Sequence, residues 1–181
     1  VPVRGISYVD FIRALPSDAP GKKEYVKYLS QKYENLEELN KVYGLSLNSF
    51  EYLSQADMSI ISPVDNPEIE SDDEGFMVRL ADVYFQITSS TLREAAPNQL
   101  VLGDRFMAAE EFQSGIRVPD TILITAAKYF DVLSFQPMGT THMKRDYIDH
   151  VFELTGKPVL FADVNCMLSR PTKGQENTEE Y

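Results

Sequence analysis

The stretch KPVLFADVNCML, Lys157 to Leu168, decides how the second half of this chain is read. A proline leads into four apolar residues, Val159 to Ala162, and the run then delivers Asp163 and Asn165. An apolar run this short, with β-branched and aromatic members, predicts a strand covered on both faces. The same pattern occurs twice upstream. NQLVLGDRF (98–106) is an apolar run that ends in Asp104 and Arg105, and DVLSFQPM (131–138) ends in Gln136.

Helical patterns separate the three runs. PDTILITAAKYF (119–130) has Pro119 and Asp120 at its start, and KRDYIDHVFELTG (144–156) is stopped by Gly156. A longer helix, FMVRLADVYFQITSSTLREAA (76–96), precedes them, with Met77, Leu80, Tyr84, Ile87 and Thr91 on one stripe. Alternating helices and apolar strands, about 30 residues per repeat, predict an α/β fold with parallel strands. Both a (β/α)8 barrel and an open doubly wound sheet satisfy the pattern.

The N-terminal half is helical in a different way. Residues 1–20 carry prolines and glycines and read as loop. Pro20 then opens a helix with Tyr25, Tyr28, Leu29 and Tyr33 on one face. Asn35 caps a second helix, with Glu38 three residues on and Gly44 as its stop. Residues 45–75 read as loop-rich, and 166–181 as loop or tail. The acidic runs EIESDDEG (68–75) and QENTEEY (175–181) read as solvated segments.

Bulk composition excludes several function classes. The chain has 181 residues, 43% apolar, enough for one domain with a core. A net charge of −11 argues against nucleic acid and against anionic membranes, because phosphate binding needs dense Lys and Arg. No apolar run is long enough for a transmembrane helix. No leader pattern opens the chain, but it begins at Val1, so that is uninformative. One cysteine, Cys166, excludes an internal disulfide and a cysteine-based zinc cluster, and two histidines offer no metal-ligand spacing.

In either parallel architecture ligands sit at the carboxyl ends of the strands. Asp104, Arg105, Gln136, Asp163 and Asn165 are therefore expected on one rim, with His142 in the loop after the second strand. Carboxylates, a guanidinium and amides together hydrogen-bond hydroxyls and move protons, which suits a polyhydroxylated ligand such as a sugar. A plainer reading stands beside it: a strand-end aspartate often caps the next helix, and Asp104–Arg105 reads equally as a structural ion pair. Phe130, Phe135 and Phe161 read as core. The sequence contains neither the glycine-rich dinucleotide fingerprint nor a phosphate loop nor a GxSxG elbow.

These segments resemble barrel glycoside hydrolases of the β-agarase and β-galactosidase type. YLSQKYENLEELNKVYGLSLNSFEYL (28–53) is similar to the family's helix ending in K-Y-G and the segment after it, with Tyr43 at a tryptophan position. NQLVLGDRF resembles the fifth strand, AAKYFDVLSFQPM the sixth, and GKPVLFADVN the seventh. The resemblance implies a partial (β/α)8 catalytic domain over 1–181 holding strands five to seven, with the acid/base before Val1. It implies hydrolysis of a β-galactoside or agarose-like polysaccharide, no metal or organic cofactor, a carbohydrate partner, and an extracellular or periplasmic setting. It also implies that these residues alone, with open strand edges, aggregate readily.

Asp163 falls where the family carries its nucleophilic glutamate, and Gln136-Pro137 replaces an asparagine and an aromatic. An aspartate is one methylene shorter, which lengthens the gap to a partner acid or abolishes catalysis. A non-catalytic carbohydrate-binding relative, or an unrelated α/β enzyme using the same strand ends, are the alternatives.

Overall fold

The computed structural model describes residues 8–56, 58, 66–108, 118–137 and 145–162. They fall into two compact units, one within Val3–Thr91 and one within Leu92–Tyr181.

The first unit is helical. Helix α1 spans Tyr8–Arg13, α2 Pro20–Lys32 and α3 Leu36–Tyr43, a 3-10 helix covers Phe50–Ser54, and α4 runs Pro67–Ala95. The anticipated punctuation is present. Pro20 occupies the first turn of α2. The Asn35 side chain accepts from the Glu38 amide at 2.9 Å, and Gly44 ends α3 at φ 65°. The core joins Val9 and Ile12 of α1, Tyr25, Leu29 and Tyr33, Leu39 and Tyr43, Leu53, and Ile69 and Phe76 of α4. Within each helix these residues step by three, four or seven, which keeps them on one face.

Three segments read as loop are helical: Phe50–Ser54, Tyr8–Arg13 and the acidic run. Tyr8–Arg13 forms α1, because Val9 and Ile12 bury together against α2. The acidic run is the start of α4. Asn66 caps it, its Oδ1 accepting from the amides of Glu68 (3.1 Å) and Ile69 (3.4 Å). Pro67 takes the first position, and Glu68 and Glu70 face the positive end of the helix dipole.

The α4 stripe also differs from expectation. Met77 and Leu80 pack against the core, but Tyr84 and Ile87 are exposed and Phe85 and Ser89 are buried instead. The buried face includes polar Asp72, Asp73 and Ser89, so apolarity alone selects the wrong side.

Gly75 lets α4 approach α2. A Cβ there would overlap the Tyr28 hydroxyl. Alanine is the better helix former by about 1 kcal/mol, yet overpacking costs about 1–3 kcal/mol. Gly75→Ala is therefore expected to destabilise the fold, and Tyr28→Phe, which removes the overlapping oxygen, to rescue most of the loss. A urea double-mutant cycle with no coupling between the two sites would contradict this.

The second unit carries a parallel sheet in the order β1-β2-β3, with β1 at Arg105–Ala108, β2 at Leu133–Pro137 and β3 at Val159–Phe161. Helix α5, Asp120–Ala127, links β1 to β2, and α6, Arg145–Thr155, links β2 to β3. Gly156 ends α6 at φ 66°. Leu133, Ser134 and Phe135 are consecutive and all buried, so β2 is covered on both faces. Phe135 meets Tyr147 of α6 edge-on at 5.8 Å and Phe106 of β1 at 5.6 Å. Phe130 and Phe135 are core, as expected. Phe161 is not: it is 40% exposed, like Leu160, because β3 has one strand neighbour among the described residues.

The chain enters β1 through an unusual approach. Val101 exchanges two hydrogen bonds with Asp131, its amide donating to Oδ2 at 2.8 Å and its carbonyl accepting from the Asp131 amide at 2.9 Å. Arg93 holds the other carboxylate oxygen at 3.0 Å. The hydrogen bonds from Arg93 and then from the Val101 amide keep the Asp131 carboxyl below its ordinary range. Gly103 follows at φ 67° and breaks the extended run before the ladder begins.

Candidate active site at the strand ends

Register defines the rim. Met107 pairs with Gln136 and Ala108 with Pro137, while Phe135 pairs with Phe161. The Ala162 amide donates to the Phe135 carbonyl at 2.8 Å, carrying the β2–β3 alignment one residue further. Ala108, Gln136 with Pro137, and Ala162 thus mark the carboxyl edge of the sheet. Gln136 is half-buried there. Asp163 is the next residue of the chain after Ala162. Asp163, Asn165 and His142 lie outside the described residues, as does Cys166.

Asp104 and Arg105 are not on that edge. The ladder of β1 starts at Arg105, which pairs with Ser134, two rungs below Gln136. At about 3.3 Å per residue the displacement is roughly 7 Å along the strands. The expectation that this pair closes the rim is corrected for a local reason. The apolar run VLG is not the strand: its backbone is tied to Asp131 and turned by Gly103, so the polar pair opens β1. Both residues are exposed at the amino-terminal end.

The helical unit holds a second polar constellation, which the sequence reading assigned to solvent. Asp72 is fully buried. It accepts from the hydroxyls of Tyr33 at 2.7 Å and Tyr43 at 2.6 Å, and pairs with Lys32. Asp73 pairs with Arg13 and accepts from Tyr25 at 3.2 Å, and Tyr25 bridges to Tyr43 at 3.1 Å. Arg13 is also paired with Asp10. Burial, together with the surrounding charges and hydrogen bonds, holds the Tyr33 and Tyr43 phenols above their ordinary range, so both stay protonated donors. Burial also raises Asp73 against the opposing pull of Arg13. Burial works against the Arg13 charge, but Tyr25 and Asp73 outweigh it and raise its pKa. These groups mostly satisfy one another, so the constellation ties α1, α2, α3 and α4 together. Asn-Pro-Glu at 66–68, a helix-start signal, was the clue that the acidic run folds.

Among the described residues no group of three or more His, Cys, Asp or Glu side chains could hold a metal, and no helix is long and apolar enough to cross a membrane.

No protein-family model matches the sequence, and no curated protein matches it. Solved structures do. An exo-β-agarase aligns with a TM-score of 0.67 at 25% identity over 82% of this chain. PfGH50B aligns at 0.66 and 26% over 83%, and the agarase AgWH50C at 0.64 and 23% over 82%. The chain resembles a part of the GH50 agarases. It spans about a fifth of each of these structures, covering 19%, 20% and 20% of their lengths. The agarase likeness takes in both the helical unit and the strand-bearing unit, since it extends over more than four-fifths of the residues.

Proposed function

We propose that this chain is part of a glycoside hydrolase barrel, with β1, β2 and β3 as strands five, six and seven, and that the protein cleaves an agarose-like or β-galactoside polysaccharide. One observation carries the reading: in a chain that aligns with agarases, the β2–β3 register brings Gln136 and Ala162 to the same carboxyl edge, and Asp163 comes next. Asp163 is the proposed nucleophile or base, and Gln136, Asn165 and His142 hydrogen-bond sugar hydroxyls. Asp104 and Arg105 are left out, because they open β1 rather than end it.

The chemistry needs two carboxyl groups. An acid on another strand of the barrel protonates the glycosidic oxygen, and the bond to the anomeric carbon breaks through an oxocarbenium-like transition state. The Asp163 carboxylate stabilises that charge. At about 5–5.5 Å from the acid it attacks the anomeric carbon, and at about 6.5–9.5 Å it takes a proton from a water that attacks instead. The shorter aspartate favours the second geometry, hence inversion. No step draws on a metal or organic cofactor.

Asp163→Asn in the full-length protein is expected to lower release of reducing ends from agarose by roughly 10²–10⁴-fold, the usual worth of a positioned acid or base. Equal cleavage by the variant would falsify the assignment. Binding of agarose without cleavage by the unmodified protein would favour the carbohydrate-binding alternative. Proton NMR of the first product anomer separates inversion from retention.

A further inference from the structure

A cleft of about 320 Å³ opens on the helical unit between the end of α2, α3 and the first turns of α4. It lies at the lower end of the range for small-molecule sites, about 300–1,000 Å³. Lys32, Tyr33, Glu38, Val42, Pro67, Glu68 and Ser71 line it.

The inner wall is held in place from behind. Buried Asp72 pairs with Lys32 and accepts from Tyr33. An ammonium has three donors, so Lys32 keeps two after this pairing, and the Tyr33 oxygen keeps a lone pair. Burial works against the Lys32 charge, but the Asp72 hydrogen bond and charge more than offset it. The lining adds the Glu38 and Glu68 carboxylates as acceptors and the Ser71 hydroxyl as both donor and acceptor. Val42 and Pro67 are apolar. Donors, acceptors and a small apolar surface converge, and their mixture matches vicinal hydroxyls on a ring with C–H faces. The two carboxylates outnumber Lys32, which is itself neutralised by Asp72, so the cleft disfavours anions.

We propose that this cleft is a sugar-binding site in its own right, taking a neutral galactose-containing oligosaccharide. The class of sugar rests on the agarase-like reading above. The cleft would hold chain away from the cut bond, as remote contacts do when binding energy is used to position a polymer.

The test titrates the full-length protein carrying Asp163→Asn, expected to slow cleavage, with agarotetraose under amide NMR. A sulfated galactose tetrasaccharide serves as the anionic control. Saturable shifts of the Val42, Glu68 and Ser71 amides are expected, with the sulfated sugar at least tenfold weaker. Glu68→Gln and Ser71→Trp change exposed positions, so the spectrum stays dispersed, and each is expected to weaken binding at these amides at least tenfold. Shifts at the cleft without a shift at Gln136 support the cleft and count against the strand-end rim. Shifts at Gln136 without shifts at the cleft overturn this proposal and leave the rim reading standing. Silence at both overturns both.

Discussion

Asp72→Ala is expected to destabilise the helical unit by roughly 3–5 kcal/mol, the range for breaking a buried charged network by removing one partner. The carboxylate is fully buried and receives three donors: Tyr33, Tyr43 and Lys32. Alanine leaves the Tyr33 phenol without its acceptor and Tyr43 with only the Tyr25 oxygen to bond, and an unmade buried hydrogen bond costs about 1–3 kcal/mol. Lys32 contributes less, because its side chain is 38% exposed and can turn to water. Against a typical domain stability of about 5–15 kcal/mol, this loss is a large share of the whole. Asp72→Asn keeps one acceptor oxygen and is expected to lose about half as much. Urea unfolding followed by tyrosine fluorescence measures both. A variant within about 1 kcal/mol of the parent would show that the network is not what holds the helices together.

Gly103→Ala is the counterpart in the strand-bearing unit, expected to cost about 3 kcal/mol or more. Two effects add. A left-handed backbone at φ 67° strains any residue with a Cβ, by roughly 1–2 kcal/mol. The added Cβ also overlaps the Phe130 ring, and Phe130 is 1% exposed, so the ring has nowhere to move. Phe130→Leu in the same background relieves the overlap but not the strain, and is therefore expected to rescue only part of the loss. Hydrogen exchange at the β1 amides reports the consequence. If the approach from Val101 through Gly103 sets where β1 begins, protection at Phe106 falls in Gly103→Ala. Full protection with unchanged stability would mean that the turn is incidental.

Much of the architecture was legible because it rests on local physics. Caps, proline positions and glycine stops act within a turn of helix, so Asn35, Pro20, Gly44 and Gly156 could be read directly. The parallel strands were legible at DVLSFQPM because consecutive apolar residues have only one arrangement that buries them all. The acidic run misled for the opposite reason. Its charge says solvent, but Asn66 and Pro67 say helix, and the helix holds because tyrosines elsewhere in the chain donate to its carboxylates. Those partners are far off: Tyr33 lies 39 residues from Asp72, and Arg13 lies 60 from Asp73. The candidate rim was half legible. Gln136 lies one residue before the end of β2, close to where its apolar lead-in placed the strand end. Asp104 and Arg105 were misread because an apolar run looks the same whether its backbone bonds to a neighbouring strand or to the Asp131 side chain.

By itself, then, the sequence determined the alternation of helices and strands in the second half, the caps and stops at Pro20, Asn35, Gly44 and Gly156, and the parallel character of the sheet, because those signals lie within a few residues of one another. Only the tertiary structure decided which polar groups share an edge, which carboxylates are buried and where β1 starts. Each of those depends on hydrogen bonds between residues that no periodicity connects, made only when the helices and strands have already come together.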